Sequence, residues 1–269
     1  MKPFSWEQRI QRANELADIH PFATEALRFY ASVATLQKEF YSYLTRRFGT
    51  SSESDMFQMP PEFSALLPNF AEFLSGIQAI SKRPLAESAR NLSLQPDEQK
   101  QVLLSSSWRS LRDSQLDAED PEDFLAGVFL QAYAEYAAAR TGFTSPTAGV
   151  SAVCPVCSGK PLVGVLRPEG DGAKRSLICS VCATEWNYGR LICTACGEET
   201  VEKLAVYSTA QFSDVRIEAC DTCRHYIKTV DLTKNGLAVP MVDELATIPL
   251  NLWAEEHGYK KSQTNFLGL

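Results

Sequence analysis

Cys154-Pro155-Val156-Cys157, Cys179-Ser180-Val181-Cys182, Cys193-Thr194-Ala195-Cys196 and Cys220-Asp221-Thr222-Cys223 hold all eight cysteines of a 269-residue chain. Two residues between two cysteines make a tight knuckle that can aim both sulfurs at one metal ion, and a tetrahedral site takes two such knuckles. The pairs are separated by 21, 10 and 23 residues. The long gaps suit a strand that leaves one knuckle and a strand that returns to the next, and the short gap suits a linker. The stretch is also an internal repeat. Pro161-Leu162-Val163-Gly164-Val165-Leu166 follows the first knuckle, with a glycine-rich turn and Leu177-Ile178 before the second. Leu204-Ala205-Val206-Tyr207 follows the third, with a polar turn and Ile217-Glu218-Ala219 before the fourth. Each copy reads knuckle, strand, turn, strand, knuckle. The expected ligand sets are therefore Cys154, Cys157, Cys179 and Cys182, then Cys193, Cys196, Cys220 and Cys223. An interleaved arrangement, first knuckle with third, stays open at this point.

Working outward, residues 1–150 read as helices. Ser5-Trp6-Glu7-Gln8 fits a capping box, and Ile10, Ala13, Leu16 and Ala17 give the helix after it an apolar face. His20-Pro21 ends that helix, and Thr24 is placed to cap the next. Ala26, Phe29, Val33, Leu36, Phe40 and Leu44 recur at threes and fours. Thr50 to Pro61 reads as a loop. A third helix carries Phe70, Leu74 and Ile77 and opens at Pro68. A fourth begins at Pro84-Leu85, and a fifth runs from Pro96-Asp97-Glu98 to about Leu111. Asp120-Pro121-Glu122-Asp123 starts a sixth, with a capping aspartate, proline in the first turn and acids against the dipole. Gly142 stops it, and Thr144-Ser145-Pro146-Thr147 is a linker. After the cysteines, a last helix is expected from about Val242 to Glu256, kinked at Pro249, stopped by Gly258, with Leu245, Leu252 and Trp253 on its apolar side. The fold class is thus α+β. An all-α domain (1–143), whose faces form their own core, precedes two small β modules of the rubredoxin or zinc-ribbon type (150–190 and 191–232). A C-terminal helix and tail (240–269) pack back on them.

Composition narrows the function. The N-terminus lacks the apolar region of a signal peptide, and no apolar run reaches the roughly 20 residues of a membrane helix. The expected location is the cytoplasm, with no membrane insertion. That compartment keeps thiols reduced, which favours metal ligation over disulfides. Residues 151–230 carry nine basic and nine acidic side chains. Nucleic-acid binding needs a cationic surplus to neutralise phosphates, so none is expected. No Ser/His/Asp set, phosphate-binding glycine loop or His-Glu-x-x-His is present. Four thiolates leave a metal no open position for substrate. The chain therefore reads as a non-enzyme with no catalytic residues. The four-sulfur set suits iron as well as zinc, so one ion of either metal is expected per set. His225 reads as a neighbour of the second set rather than a ligand, His20 as a helix-end residue and His257 as a surface residue. Trp186 and Tyr226, each just past the second knuckle of its copy, read as packing residues.

The run Leu177-Ile178-Cys179-Ser180-Val181-Cys182-Ala183-Thr184-Glu185-Trp186, then Arg190, Cys193 and Cys196-Gly197, closely resembles the formate dehydrogenase accessory protein FdhE family. So does Glu218-Ala219-Cys220-Asp221-Thr222-Cys223-Arg224-His225-Tyr226-Ile227-Lys228. The His20-Pro21 pair, Asp243-Glu244-Leu245-Ala246, Leu252-Trp253-Ala254 and Gly258-Tyr259 are similar too. The resemblance implies a helical domain followed by two rubredoxin-like modules holding iron or zinc. It also implies a cytoplasmic accessory factor that contacts the catalytic subunit of a molybdenum formate dehydrogenase. Two departures stand out. The family's glycine after the first pair is Ser158 here, and its closing Asn-Pro-Phe-Leu appears as Asn265-Phe266-Leu267. The competing reading from the ligand set alone is a rubredoxin-like electron carrier or redox sensor.

Overall fold

A computed structural model describes residues 4–50, 61–113, 119–146 and 151–269. Most of the Thr50–Pro61 loop, and Thr147 of the linker, lie outside the described residues. Six α-helices come first: α1 Trp6–Ile19, α2 Thr24–Phe48, α3 Phe63–Ile80, α4 Leu85–Ser93, α5 Asp97–Arg112 and α6 Pro121–Arg140. The Ser5 hydroxyl accepts from the Gln8 N–H while the Gln8 side chain accepts from the Ser5 N–H, so the capping box that opens α1 is present. Asp120 caps α6 by accepting from the N–H groups of Glu122 and Asp123. Two starts differ from expectation. A single 3₁₀ turn, Pro21–Ala23, leads into α2, and the Thr24 hydroxyl donates back to the Ala17 carbonyl at 2.7 Å instead of capping. Helix α3 begins at Phe63 and takes Pro68 into its interior. The burial of Leu66 and Leu67 in that first stretch offsets the hydrogen bond that Pro68 cannot make.

Helix α6 is apolar on nearly all sides, as expected of a helix surrounded by others. It packs against α2, α3, α4 and α5. Phe129 stacks on Phe40 at 4.3 Å and meets Phe70 and Phe73 at 5.0 and 5.6 Å.

The cysteine region supplies six strands of a sheet that has seven among the described residues. Strands β1 Pro161–Glu169, β2 Gly172–Cys179 and β3 Glu185–Asn187 come from the first copy, and β4 Leu204–Thr209, β5 Phe212–Cys220 and β6 His225–Asp231 from the second. Each copy is an antiparallel hairpin followed by a return strand, matching the repeat in the sequence. The two copies join where β1 runs parallel to β6, Gly164 opposite Thr229. A Cβ on Gly164 would lie 2.3 Å from the Thr229 hydroxyl oxygen, so only glycine allows the strands to close there. The sequence alone separates two modules; the pairing of β1 with β6 makes them halves of one sheet.

The expected single last helix is two helices, α7 Pro240–Ala246 and α8 Ile248–Glu256, broken at Thr247 rather than at Pro249, which falls in the first turn of α8. All of α7 is buried, between α1 and α2 on one side and β1 and β6 on the other. Leu245 is buried as expected, but Leu252 is 56% exposed. Strand β7, Lys260–Lys261, then pairs with β6. In the tail, Phe266 stacks on Tyr30 of α2 at 5.4 Å. No helix among the described residues is long and apolar enough to cross a membrane.

Candidate metal centres

The eight sulfurs gather into two groups, Cys154/Cys157/Cys179/Cys182 and Cys193/Cys196/Cys220/Cys223, and within each group the Sγ atoms lie within 4.8 Å of one another. The grouping is by module and not interleaved. Each group joins the turn before a hairpin to the turn after it, because the two hairpin strands return the second knuckle to the first. Across knuckles, Cys154 and Cys182 are 3.7 Å apart, Cys157 and Cys179 3.4 Å, Cys193 and Cys223 3.7 Å, and Cys196 and Cys220 3.7 Å. A tetrahedron with metal–sulfur bonds of about 2.3 Å has edges of about 3.8 Å. These separations match that figure and are far too long for a disulfide, whose S–S distance is about 2.05 Å.

The knuckles share a backbone design. In three of the four, the residue after the second cysteine donates its N–H to the carbonyl of the first: Ser158 to Cys154, Gly197 to Cys193, Arg224 to Cys220. That turn leaves a left-handed residue after every second cysteine, with φ of 63° at Ser158, 53° at Ala183, 76° at Gly197 and 59° at Arg224. Backbone N–H groups then point at sulfur: Val156 to Cys154, Gly159 to Cys157, Val181 to Cys179 and Ala195 to Cys193, all at 3.3 or 3.4 Å. Such donors favour thiolate over thiol. Gly159 is a close-approach site, since a Cβ there would lie 3.1 Å from the Cys179 sulfur and 2.8 Å from Val181.

The electrostatics of the first group call for a cation. Hydrogen bonds from Cys157, Cys179 and Cys182 hold Cys154 far below the ordinary thiol range. Burial pushes Cys179 and Cys182 well above it. Cys154 ionises by leaning on its neighbours while buried Cys179 and Cys182 resist ionising, and a divalent ion is what allows four clustered cysteines to bind as thiolates. In the second group, burial pushes Cys193 and Cys223 up. Burial would raise Cys220 as well, but the N–H groups of Cys223 and Thr222 bring it below the usual value. The donor sets, spacings and N–H cradles fit four-coordinate iron or zinc in both places.

The two sites differ in surroundings. All four sulfurs of the first are buried, and they belong to the apolar cluster that includes the helices, together with Val181 and Trp186. Gln131 of α6 donates to the Ser180 carbonyl inside the second knuckle at 2.8 Å. The core of the helices is therefore not a closed one. In the second site Cys196 is exposed and Cys223 half-buried.

Of the other residues singled out, Trp186 is buried and donates its indole N–H to the Ser151 carbonyl, and Tyr226 is buried in the sheet's own cluster. His225 engages the Cys223 carbonyl at 2.8 Å, outside the four-sulfur group. His20 packs between Phe22 and Phe212. His257 stacks on Trp253 at 4.1 Å. Trp253 itself lies on Tyr207 of β4, on the sheet side and away from the helices. A second link between the two halves is the Asp243-Glu244 pair of α7. Asp243 takes a two-pronged contact from Arg12 of α1. Glu244, fully buried, meets Lys228 of β6 at 3.0 Å and also Lys261 of β7, and its second oxygen accepts from Asn265 at 3.1 Å. Burial alone would raise Glu244, but the two lysines hold it down at about 2. Two acids in a short apolar helix are the sequence signal for this hub; their partners lie far away along the chain.

Residues 153–190 match the family described as FdhE, central domain, and residues 191–267 match FdhE, C-terminal domain. A protein of Aquifex aeolicus named Protein FdhE homolog is 42% identical over 117 residues, 43% of this chain and 41% of that one. A Shewanella oneidensis protein of the same name is 34% identical over 42% of this chain and 37% of its own. The matched part thus spans about two fifths of those relatives. The Protein FdhE homolog of Proteus mirabilis is 25% identical over 97% of this chain and 87% of its own length. The crystal structure of the FdhE protein from Pseudomonas aeruginosa superposes with a TM-score of 0.75 at 22% identity, covering 99% of this chain and 97% of that one, and so has the same fold.

Proposed function

We propose that the chain is a member of the FdhE family, whose central and C-terminal domain models match residues 153–267, and that it is a cytoplasmic accessory protein that binds the catalytic subunit of a formate dehydrogenase during its assembly. The observation that carries the reading is that the stretch matching the family holds two complete four-sulfur sites. In this reading Cys154, Cys157, Cys179 and Cys182 hold one iron or zinc ion, and Cys193, Cys196, Cys220 and Cys223 hold the other. Four thiolates leave no position for substrate, which supports a binding role over an enzymatic one. The metal's contribution is to fix short turns that modules of this size cannot hold by core alone. We divide the chain into a helical domain (1–143), metal modules (150–190 and 191–232) and a C-terminal segment (240–269) whose α7 bridges the halves. The test is a pull-down from the native host with metal measured on the same sample. Recovery of the subunit with two equivalents of iron or zinc is expected, and a metal-loaded chain that does not retain the subunit would remove this client.

The exposure of Cys196 favours a second reading for the second site, an iron centre that passes one electron or reports oxidation. Ferric thiolate is red and zinc thiolate colourless. A colourless, zinc-loaded native protein would end this reading and leave the first in place.

A further inference from the structure

Strand β4 is the free edge of the sheet. Among the described residues its strand partner is β5 alone, whereas the opposite edge, β3, is three residues long with Trp186 and Asn187 buried. Proteins blunt a free edge with lysine, proline or a covering segment. Leu204-Ala205-Val206-Tyr207-Ser208-Thr209 has neither charge nor proline. The Asp221 N–H meets the Lys203 carbonyl at 2.9 Å, and the register continues through Leu204 opposite Cys220. Inward and outward main-chain groups alternate along an antiparallel strand. The N–H and C=O groups of Leu204, Val206 and Ser208 therefore face away from β5.

Each face of this edge adjoins a hollow. On one side, a space of ≈ 200 Å³ is bordered by Leu204, Leu191, Arg190 and Arg216. On the other, a space of ≈ 530 Å³ is bordered by Tyr207, Phe212, Pro249 and Trp253. Val206 borders both and is 55% exposed, and Leu191 is 56% exposed. The smaller hollow is lined by Arg175, Arg190 and Arg216, by Glu218, which Arg175 and Arg216 already share at 2.6 Å each, and by Cys193 and Cys220 of the second site; of the three guanidiniums, exposed Arg190 is the one with no carboxylate partner among the described residues. Side chains of an added strand alternate between the two faces of a sheet. Those of one parity would enter the arginine-lined hollow and those of the other the aromatic one. Main-chain pairing with alternate pockets is how sheet edges recognise extended peptides.

We propose that β4 is a docking edge for an extended segment of the client polypeptide, which adds to the sheet with acidic side chains toward Arg190 and Arg216 and apolar side chains toward Tyr207 and Trp253. This rests on the reading above that the chain binds a client subunit. A second copy of this chain meets the charge requirement poorly, because its own β4 brings no carboxylate.

The probes are the catalytic subunit of a formate dehydrogenase from the same organism and fluorescent overlapping peptides that cover its sequence. Both are titrated against the metal-loaded full chain. At least one peptide with alternating acidic and apolar residues should bind and should slow amide exchange at Leu204, Val206 and Ser208. Val206→Pro removes an outward N–H and leaves the ladder to β5 in place. It should weaken subunit binding roughly tenfold or more, with metal content and circular dichroism unchanged. Arg190→Glu, at an exposed side chain, should weaken binding and flatten its salt dependence. If the subunit binds both variants as tightly as the native chain, the docking edge is wrong and the client reading stands. If the native chain binds neither the subunit nor any peptide, both fail. If the peptides do not bind and Val206→Pro instead abolishes a concentration-dependent dimer, the edge serves self-pairing and the proposal is overturned.

Discussion

The two four-sulfur sites are built from the same repeat and held in opposite ways. The first is packed into the helical core: its cysteines are at most 3% exposed, Trp186 fills the space beside them, and Gln131 of α6 hydrogen-bonds its second knuckle. The second stands at the surface, and β6 of its module reaches the helices through α7 by way of Lys228 and Glu244. The same four-cysteine arrangement thus sits in two settings. One site is part of the scaffold, and the other shapes an accessible face. Local sequence sets the ligand geometry, but what packs around the knuckle sets how far its loss spreads.

The largest expected effect tests that contrast directly. Cys154→Ser/Cys157→Ser and Cys193→Ser/Cys196→Ser should each keep one equivalent of metal. The first pair should also lower helical stability by several kcal/mol, on the order of a structural-metal loss, because its apolar neighbours are shared with α6. The second should leave the helical transition within about 1 kcal/mol of native. Metal analysis and thermal melts followed at 222 nm decide it; equal losses in the two variants would erase the distinction.

The next tests the link through α7. Glu244 lies at about 2 in the folded chain against an ordinary value of 4.5. A carboxylate with a depressed pKa contributes stability that is fully present above about 4.5 and is lost as pH falls toward 2. Glu244→Gln should remove this acid-dependent component and, at neutral pH, separate the melting of the second module from that of the helices. A single transition with an unchanged slope against pH would show that α7 holds the halves by apolar packing alone.

The smallest effect concerns the left-handed residue after each knuckle. Ser158 sits at φ 63° where the equivalent residue of the second module's first knuckle is Gly197 at 76°. Ser158→Gly should stabilise the first module by about 1 kcal/mol, and Gly197→Ala should cost the second a similar amount. Denaturant midpoints at saturating metal measure both. A null result at Ser158 would mean that its surroundings already absorb the strain.

Much of this was legible in the chain. The capping box at Ser5 and Gln8, the Asp120 cap of α6 and the knuckle–hairpin–knuckle repeat are encoded within a few residues, and local hydrogen-bond chemistry reads them correctly. Where local cues competed with packing, packing won. Pro68 looked like a helix start, yet burial of Leu66 and Leu67 extends α3 to Phe63. Leu252 and Trp253 read, with Leu245, as the apolar side of a single last helix that packs back on the domains. In the structure Leu252 meets solvent and Trp253 meets Tyr207, while α7 takes the junction.

By itself, then, the sequence determined the four cysteine knuckles, the helix-rich first half and the hairpins between knuckles, because each depends on residues close together along the chain. Only the tertiary structure decided that β1 pairs with β6 to fuse two modules into one sheet, with Gly164 permitting the contact. Only it buried one site among helices, left the other exposed, and brought Arg12, Lys228, Lys261 and Asn265 to the two acids of α7. Those contacts join residues far apart in sequence. They form because buried charges must find partners and apolar faces must be covered, whatever their distance along the chain.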